Sequence, residues 1–184
     1  MSPDTLKSIV TVSTPGSPLR RVLAYKLLLA IAAVVVASDQ ASKAWILSRL
    51  PYPTYGEPGA MVVVPGFFHL VDVGNTGAAW SLFSGKSAML AAGAAVTLLA
   101  IFLWRRALGL RARLVQVSFG LLCGGIVGNL VDRLRHGHVI DFLDFHFGSY
   151  VFPTFNIADS GITVGVAIYL WHSLRAPVAP NGAK

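Results

Sequence analysis

Charged residues and cysteine are both scarce in this chain of 184 residues. Only 12% of the residues are charged, against roughly a quarter in a soluble domain, and 54% are hydrophobic. This excludes an ordinary soluble domain and indicates an integral membrane protein of one domain. The single cysteine, Cys123, excludes an internal disulfide, and its position inside an apolar run predicts an inert buried thiol.

The net charge of +7 reflects an excess of Lys and Arg. Nucleic-acid binding would need a basic face with interleaved aromatics on a soluble module, and the sequence has no such module. The excess instead predicts cytoplasmic flanks of membrane helices. We therefore expect membrane lipids, and no nucleic acid, among the partners.

Apolar runs predict four transmembrane helices: about 22–37, Ser87–Trp104, roughly Leu114–Leu130 and roughly Ile157–Trp171. A cleavable signal peptide is the alternative for the first run. The run continues directly into Asp39-Gln40-Ala41-Ser42-Lys43, which is not a small-residue cleavage site. We therefore predict a membrane helix there.

The loop between the second and third predicted helices determines the orientation. It carries Arg105, Arg106, Arg111 and Arg113, so the positive-inside rule places it in the cytoplasm. Both termini are then cytoplasmic, with tails at residues 1–21 (disordered) and 175–184. The membrane domain covers residues 22–174, with outer loops at about 39–86 and 131–156.

Short strands are predicted in both outer loops. Met61–Val64 and Phe67–Val73 are β-branched or aromatic and flank Pro65-Gly66, which predicts a hairpin. Alternation from Val139 to Phe152 predicts strands beside it. The predicted fold is a membrane all-α core of four transmembrane helices with a small extracytoplasmic β-hairpin or cradle subdomain.

Glycines recur every four residues on two of the predicted helices, at Gly120, Gly124 and Gly128 and at Gly161 and Gly165. Small residues at this spacing let helix backbones approach closely in lipid. We expect this packing to bring the outer ends of helices three and four together.

Those outer ends carry Asn129, Asp132, Arg133, Asn156 and Asp159, with Asp141 in the loop between them. The first three share one helix face, and the next two share another. A charge at bilayer depth costs roughly 2.5 kcal/mol or more, so such residues are usually retained for function. Asp141 and Asp159 are therefore a candidate proton-sharing acid pair.

Structural interpretations of these residues remain open at this stage. Asp132 and Arg133 form an interfacial salt bridge in one of them. Asn129 and Asn156 satisfy freed backbone groups in another. In a third, Asn156 caps the fourth helix and Asp159 is a favourable charge in its first turn.

Other polar residues have simpler interpretations. Asp39 and Lys43 are expected to anchor the membrane interface, and Asp144 and His146 to be solvated on a strand face. A metal site built from His136, His138, His146 and nearby aspartates lacks a His-Glu-x-x-His pair and a cysteine ligand. Ser160 lacks the Gly-x-Ser-x-Gly turn of a serine nucleophile.

Five segments resemble a known family, in order: Asp39-Gln-Ala-Ser-Lys43, Asn75-Thr-Gly-Ala-Ala-Trp-Ser81, Gly128-Asn-Leu-Val-Asp-Arg133, Val139-Ile-Asp-Phe142 and Phe155-Asn-Ile-Ala-Asp159. The chain resembles the bacterial lipoprotein signal peptidases, or signal peptidase II, over roughly residues 22–172. Any one motif is weak, but five in order on a four-span chain are specific. Trp80 stands where the family often has Phe.

The resemblance implies an aspartic endopeptidase of the bacterial inner membrane with Asp141 and Asp159 as its catalytic pair. It implies diacylglyceryl-modified prolipoproteins as substrates, cut on the amino side of the lipidated cysteine. It further implies a monomer without metal, cofactor or obligate protein partner, and an active site on the periplasmic side. The implied substrate-binding or supporting residues are Asp39, Lys43, Asn75, Gly77, Asn129, Asp132, Arg133, Asn156 and Ala158.

Two rival function classes make different predictions. A small transporter or proton channel would use intramembrane aspartates as a relay, but many transporters have repeated halves and this chain shows no repeat. A non-catalytic scaffold would tolerate Asn at Asp141 and Asp159.

Overall fold

The computed structural model describes residues 22–54, 59–78 and 82–175. Its elements in chain order are α1 (Lys26–Arg49), β1 (Met61–Val64), β2 (Phe68–Asn75), α2 (Ser87–Trp104), α3 (Arg113–His136), β3 (Val139–Phe147), β4 (Tyr150–Val151) and α4 (Ile157–Arg175). The tail predicted at residues 1–21, residues 176–184 of the other tail, and Trp80 lie outside the described residues.

Helix α1 continues past residue 39, where we expected the outer loop to begin, and ends at Arg49. The prediction of a loop over residues 39–49 was wrong, because no Gly or Pro interrupts this stretch before Pro51. Tertiary packing stabilises the extension, since its buried side chains recur at helical spacing. They are Val35, Asp39, Lys43 and Ile46.

Helix α3 is also longer than predicted, so residues 131–136 are helical rather than part of the second outer loop. The helix ends where Gly137 adopts a left-handed conformation with φ 76°. The Gly137 N–H donates to the Arg133 carbonyl at 3.2 Å, as expected for a glycine that terminates a helix.

Three helices, α1, α2 and α3, are long and apolar enough to cross a membrane. Helix α2 begins and ends where the sequence predicted, and Ala91 is its only buried residue, which fits a helix that faces lipid. Helix α4 has 19 residues and polar side chains at both ends, and it does not reach the same hydropathy. The count of four spans therefore stays a prediction.

The four strands form one antiparallel sheet in the order β1-β2-β3-β4. The predicted hairpin is confirmed, with Gly66 at φ 67° in its turn. Strand β3 pairs with β2, and Asp141 lies opposite Val73. The predicted strands beside the hairpin are therefore confirmed, and the sheet presents Asp141 to the outer ends of the helices.

Helix α3 packs between α1 and α4 through glycines. A Cβ at Gly120 would lie 2.9 Å from the Leu28 carbonyl oxygen of α1, and one at Gly124 would lie 2.9 Å from that of Ala32. This stripe, which we expected to serve the contact between helices three and four, therefore faces α1.

The contact between α3 and α4 uses the predicted Gly161 and Gly165 of α4, together with Gly125 of α3, which the four-residue spacing had not included. A Cβ at Gly125 would collide with the Ala158 carbonyl oxygen, and one at Gly165 would lie 2.6 Å from the Ser118 carbonyl oxygen. The outer ends of α3 and α4 do come together, as expected. The four-residue spacing of glycines identifies helix faces lined by small residues, but it does not identify the helix that packs against each face.

Candidate active site

One asparagine contacts both members of the predicted acid pair. Asn156 Nδ2 donates to Asp141 Oδ1 at 2.7 Å, and the Asn156 backbone N–H donates to Asp159 Oδ2 at 3.3 Å. Asp141 lies in β3 and is 3% exposed, whereas Asp159 lies in the first turn of α4. Two carboxyl groups separated by 18 positions in the chain therefore converge on one residue.

Each of these carboxyl groups has a second amide donor. Asn75 Nδ2 donates to Asp141 Oδ2 at 3.0 Å, and Asn129 Nδ2 donates to Asp159 Oδ1 at 2.7 Å. None of the ion pairs within the described ranges includes either aspartate. The pair is thus held by neutral N–H groups rather than by cations.

The environment of Asp141 changes its proton affinity. Burial, and then the negative charge of Asp159, raise the pKa of Asp141 to about 7. The hydrogen bonds from Asn75 and Asn156 lower it by less than this. A carboxyl group with a pKa near neutrality is suited to general acid–base chemistry at physiological pH.

The capping interpretation of Asn156 is also correct. Asn156 Oδ1 accepts the backbone N–H of Asp159 at 2.9 Å, and the Asp159 carboxylate accepts the backbone N–H of Asn156 in return. This reciprocal pattern is a capping box at the start of α4. The same amide caps with its oxygen and reaches Asp141 with its nitrogen, so the structural and functional interpretations are compatible.

A second group of charges lies beside the pair, centred on Lys43. Lys43 Nζ lies 2.8 Å from Asp39 Oδ2 and 2.7 Å from Asp132 Oδ2, and Lys43 itself is 2% exposed. The prediction that Asp39 and Lys43 anchor the membrane interface was therefore wrong. The interpretation that paired Asp132 with Arg133 does not hold either, because Asp132 pairs with Lys43.

The carboxylates of the Lys43 group also hold backbone next to the acid pair. Asp39 Oδ1 accepts the N–H of Ala158 at 2.9 Å, and Asp132 Oδ2 accepts the N–H of Ile140 at 3.2 Å. Ala158 precedes Asp159 in the chain, and Ile140 precedes Asp141. Each ion-paired carboxylate therefore positions the residue immediately before a member of the pair.

Lys43 also orients an amide of the site. Its ammonium donates to Asn129 Oδ1 at 3.2 Å, and Asn129 Nδ2 is thereby directed to Asp159. Asn129 thus does not satisfy a freed backbone group with its side chain, as one interpretation proposed. Its role within the described residues is to link the Lys43 group to the acid pair.

Gln40 belongs to the same network but was not singled out from the sequence. Its Nε2 donates to Asp132 Oδ1 at 2.8 Å and to Asp39 Oδ2 at 3.2 Å. Its position next to Asp39 in the first motif was the only signal. Its residue type did not mark it out, because an uncharged side chain on a helix carries no obvious energetic cost.

Arg133 connects α3 to the segment that follows β2. Its Nη2 donates to the Gly77 carbonyl at 2.9 Å, and its Nη1 donates to the Asn129 carbonyl at 3.4 Å. The Gly77 N–H donates to Asn75 Oδ1 at 2.9 Å, which turns the chain back towards the site. Arg133 Nε is buried and has no hydrogen-bond partner among the described residues.

A groove of about 610 Å³ lies between α2 and α3 and reaches Arg133. Its walls are mostly small or apolar, and they include Ala91, Ala95, Leu130 and Leu134. The groove offers an apolar surface that ends at a guanidinium group beside the acid pair.

Neither the set of His136, His138 and His146 nor a serine nucleophile assembles in the described parts of the chain. His138 stacks on Tyr52, with ring centroids 5.6 Å apart, and His136 and His138 do not join His146 in a set of metal-ligating atoms. Ser160 Oγ donates to the Asn156 carbonyl at 3.0 Å, so it is engaged in the helix start. The prediction that Asp144 is solvated was wrong, since it is 6% exposed and lies 2.7 Å from His146 Nε2.

Membrane-length helices, a small sheet and two carboxyl groups held by amides are typical of a membrane-embedded aspartic protease. Comparison with known proteins agrees with this class. A family model described as signal peptidase (SPase) II matches residues 31–175. The chain therefore belongs to the signal peptidase II family, as its motifs predicted, and is a protease.

Individual relatives give the same result. The lipoprotein signal peptidase of Burkholderia cenocepacia (strain HI2424) is 44% identical over 152 residues, which cover 80% of this chain and 87% of that protein. The lipoprotein signal peptidase of Azoarcus sp. (strain BH72) is 43% identical over 151 residues, which cover 80% and 82%. A solved structure described as a bacterial membrane enzyme has 31% identity and a TM-score of 0.73, and it covers 85% of this chain and 94% of its own.

Proposed function

We propose that this chain is an intramembrane aspartic endopeptidase that cuts diacylglyceryl-modified prolipoproteins on the amino side of the lipidated cysteine. Asp141 and Asp159 are its catalytic pair. The observation that carries the proposal is the contact of Asn156 with both carboxyl groups, at 2.7 Å and 3.3 Å. Family membership supports the substrate class, because the relatives are lipoprotein signal peptidases.

In this proposal the two carboxyl groups share one proton near neutral pH. Asp159 raises the pKa of Asp141, so the two do not ionise independently and titrate as a pair. The ionised carboxylate removes a proton from a water molecule, and the resulting hydroxide attacks the scissile carbonyl. The protonated carboxyl group hydrogen-bonds that carbonyl and later protonates the leaving nitrogen. The four amide hydrogen bonds keep both groups in position during the exchange.

Arg133 and the groove between α2 and α3 supply a binding site for the substrate. The unused Arg133 Nε is a donor for a peptide carbonyl near the cut, while its two Nη groups hold Gly77 and Asn129. The acyl chains of the lipidated cysteine would lie in the groove, whose apolar walls stabilise hydrocarbon by roughly 25 cal/mol per Å² buried. This arrangement keeps the lipid in an apolar environment while the peptide reaches the acid pair.

The orientation that we propose has four spans in the bacterial inner membrane, both termini in the cytoplasm and the acid pair on the periplasmic side. The arginine-rich loop supports it, because Arg105–Arg113 lie at the opposite end of α3 from Asn129 and Asp132. The protein acts as a monomer in this proposal, since the site is complete within one chain.

Reporter fusions test this orientation. Alkaline phosphatase, which is active only outside the cytoplasm, should be active when inserted after Gly66 in the β1–β2 turn and inactive when fused after Lys184. Green fluorescent protein should show the reverse pattern. Active phosphatase at Lys184, or inactive phosphatase at Gly66, would overturn the proposed orientation.

Cleavage of a synthetic lipidated peptide by the purified enzyme in detergent tests the chemistry. Mass spectrometry should show one cut, before the lipidated cysteine, and no cut in the unlipidated peptide. Asp159→Asn should abolish the cut. Asp72→Asn is the control, because Asp72 is a buried aspartate that makes no hydrogen bond to either carboxyl group of the pair. Full cleavage by the Asp159→Asn enzyme would refute the proposed pair.

A further inference from the structure

Two histidines and an aspartate lie together on the sheet, outside the site described above. His69 of β2 is directly opposite Asp144 of β3 in the antiparallel register. His146 follows Asp144 by two residues, and side chains two apart on a strand point to the same face. The strand pairing therefore places His69, Asp144 and His146 side by side on one face of the sheet.

The ligand atoms of these three residues are close enough to converge on one ion. One imidazole nitrogen from each histidine and one carboxylate oxygen of Asp144 all lie within 4.8 Å of one another. The two imidazole rings are 4.6 Å apart between centroids, and His146 Nε2 lies 2.7 Å from Asp144 Oδ2. Ligands of a tetrahedral zinc ion at about 2.1 Å are about 3.4 Å apart, so small side-chain rotations produce that geometry.

His69 supplies an independent observation that points to a ligand. It is only 7% exposed, yet neither Nδ1 nor Nε2 has a hydrogen-bond partner among the described residues. A buried polar atom without a partner is destabilising, and such atoms are uncommon in folded proteins. An imidazole nitrogen that lies beside a carboxylate and a second imidazole satisfies this requirement by coordinating a cation.

We propose that His69, Asp144 and His146 bind a divalent transition-metal ion, with zinc as the best match. Two imidazoles and one carboxylate are a common zinc ligand set, and a water molecule completes the tetrahedron. Calcium and magnesium prefer all-oxygen ligands, so two imidazoles disfavour them. The ion connects β2 to β3 and stabilises their pairing.

The metal site is separate from the proposed catalytic pair. Asp141 and Asp144 are three residues apart on β3, so strand alternation places their side chains on opposite faces of the sheet. The ion therefore stabilises the strand that carries Asp141 without contacting the reacting groups. Peptide cleavage at low temperature should not need it.

Zinc binding to the full chain in detergent tests the proposal. Metal-stripped protein is incubated with zinc and desalted, and bound metal is counted by mass spectrometry while affinity is measured by titration calorimetry. The wild type should retain about one zinc per chain, and zinc should raise its melting temperature by several degrees. His69→Phe should weaken binding by at least about 100-fold, in keeping with the loss of a ligand.

His136→Phe is the matched control, because it removes an imidazole outside the cluster and should bind zinc as the wild type does. Equal zinc binding by the wild type and His69→Phe, or no binding by the wild type, would overturn the proposal. X-ray absorption of the zinc-loaded wild type provides a test that does not depend on the folding of a variant. Two imidazole ligands plus oxygen support the site, and any other ligand set contradicts it.

A cleavage assay in EDTA separates this proposal from the proposed function. The stripped enzyme should still cut lipidated peptide at 25 °C while it melts at a lower temperature than the zinc-loaded enzyme. An equal melting temperature with and without zinc would contradict the metal site and leave the acid pair unaffected. Loss of cleavage that zinc restores would contradict the separation of the two sites.

Discussion

Four carboxyl groups lie near the adjoining ends of α1, α3 and α4, and they form two pairs with different partners. Asp39 and Asp132 share the ammonium group of Lys43, at 2.8 Å and 2.7 Å. Among the described residues, Asp141 and Asp159 accept hydrogen bonds only from amide N–H groups. Asp39, Asp132 and Asp141 are each at most 3% exposed, and Asp159 is partly exposed, so burial alone does not separate the two pairs.

The difference in partners shows that neighbouring carboxyl groups in one small region have different roles, one structural and one chemical. The carboxylates that share Lys43 are locked by a cation and hold the backbone of Ala158 and Ile140. Within the described residues the amide-held pair forms no ion pair, and the charge of Lys43 offsets only part of the rise that burial and Asp159 cause in the pKa of Asp141, so the pair is able to exchange a proton. The ion-paired group of Lys43, Asp39 and Asp132 therefore positions the proton-sharing pair of Asp141 and Asp159. The ammonium of Lys43 suits the first group to a structural role, and amide donors suit the second to proton exchange.

The strongest test of this comparison is removal of one carboxylate from the amide-held pair. Asp159→Asn should lower the rate of peptide cleavage by about 10³-fold or more, because acid–base catalysis contributes about 10²–10⁴-fold. Its melting temperature should stay close to that of the wild type, since Asn still accepts and donates hydrogen bonds. Rate and melting curves of the same preparation check both statements. A cleavage rate near that of the wild type would show that the amide-held pair is no more catalytic than the pair that shares Lys43.

Lys43→Met should have the opposite profile. It leaves Asp39 and Asp132 buried without their cation, and loss of one partner from a buried ion pair costs about 3–5 kcal/mol. We expect a marked fall in thermal stability in detergent, with cleavage reduced as a consequence. Lys86→Met is the control, because Lys86 is exposed and makes no ion pair within the described residues. Equal stability of the two variants would show that the Lys43 group does not hold the structure.

A packing change that touches no charge should sharpen the comparison. Gly125→Ala would place a Cβ against the Ala158 carbonyl, so α4 must move where it carries Asp159. Overpacking of this kind costs about 1–3 kcal/mol, and we expect cleavage to fall as Asp159 shifts. Gly93→Ala on α2 meets nothing within 4 Å and should leave both stability and cleavage at least at the wild-type level. Unchanged cleavage by Gly125→Ala would show that the site tolerates movement of α4.

The smallest expected effect is a pH dependence of stability. The pKa of Asp141 is raised to about 7, above its unfolded value near 3.9, so its protonated form favours the folded state. This stabilisation is complete below about pH 4 and is lost as pH rises through 7. Between pH 6 and 8 the loss is about 1.4 kcal/mol. Asparagine does not ionise, so Asp141→Asn has no such pH-dependent loss. The melting temperature of the variant should therefore rise relative to that of the wild type between pH 6 and 8. If the melting temperatures of the wild type and Asp141→Asn differed by the same amount at every pH, the raised pKa of Asp141 would be contradicted.

Much of the architecture was predictable because it depends on local patterns. The bounds of α2 and the hairpin at Pro65-Gly66 follow from hydropathy and turn residues. The predicted C-terminal ends of α1 and α3 fell before the observed ends, because the last turns of both helices contain polar residues of the kind that are common in loops. Tertiary contacts keep those turns helical by burying Lys43 and Asp132.

The sequence predicted which residues belong to the site but not which of them contact one another. Asp141 and Asp159 stood out because a carboxylate beside an apolar run is costly. One interpretation that the sequence left open paired Asp132 with its neighbour Arg133, whereas the cation is Lys43 on another helix. His69 was missed because its nearness to Asp144 arises only from the pairing of β2 with β3.

The sequence by itself determined that this chain belongs in a membrane, where its helices and hairpin lie, and which acids are candidates for chemistry, because these properties depend on composition and on near neighbours in the chain. The tertiary structure alone decided which acids share a cation and which share amides, and which glycine face meets which helix. Those choices depend on distances of a few ångströms between residues far apart in the chain, and no local pattern encodes such distances.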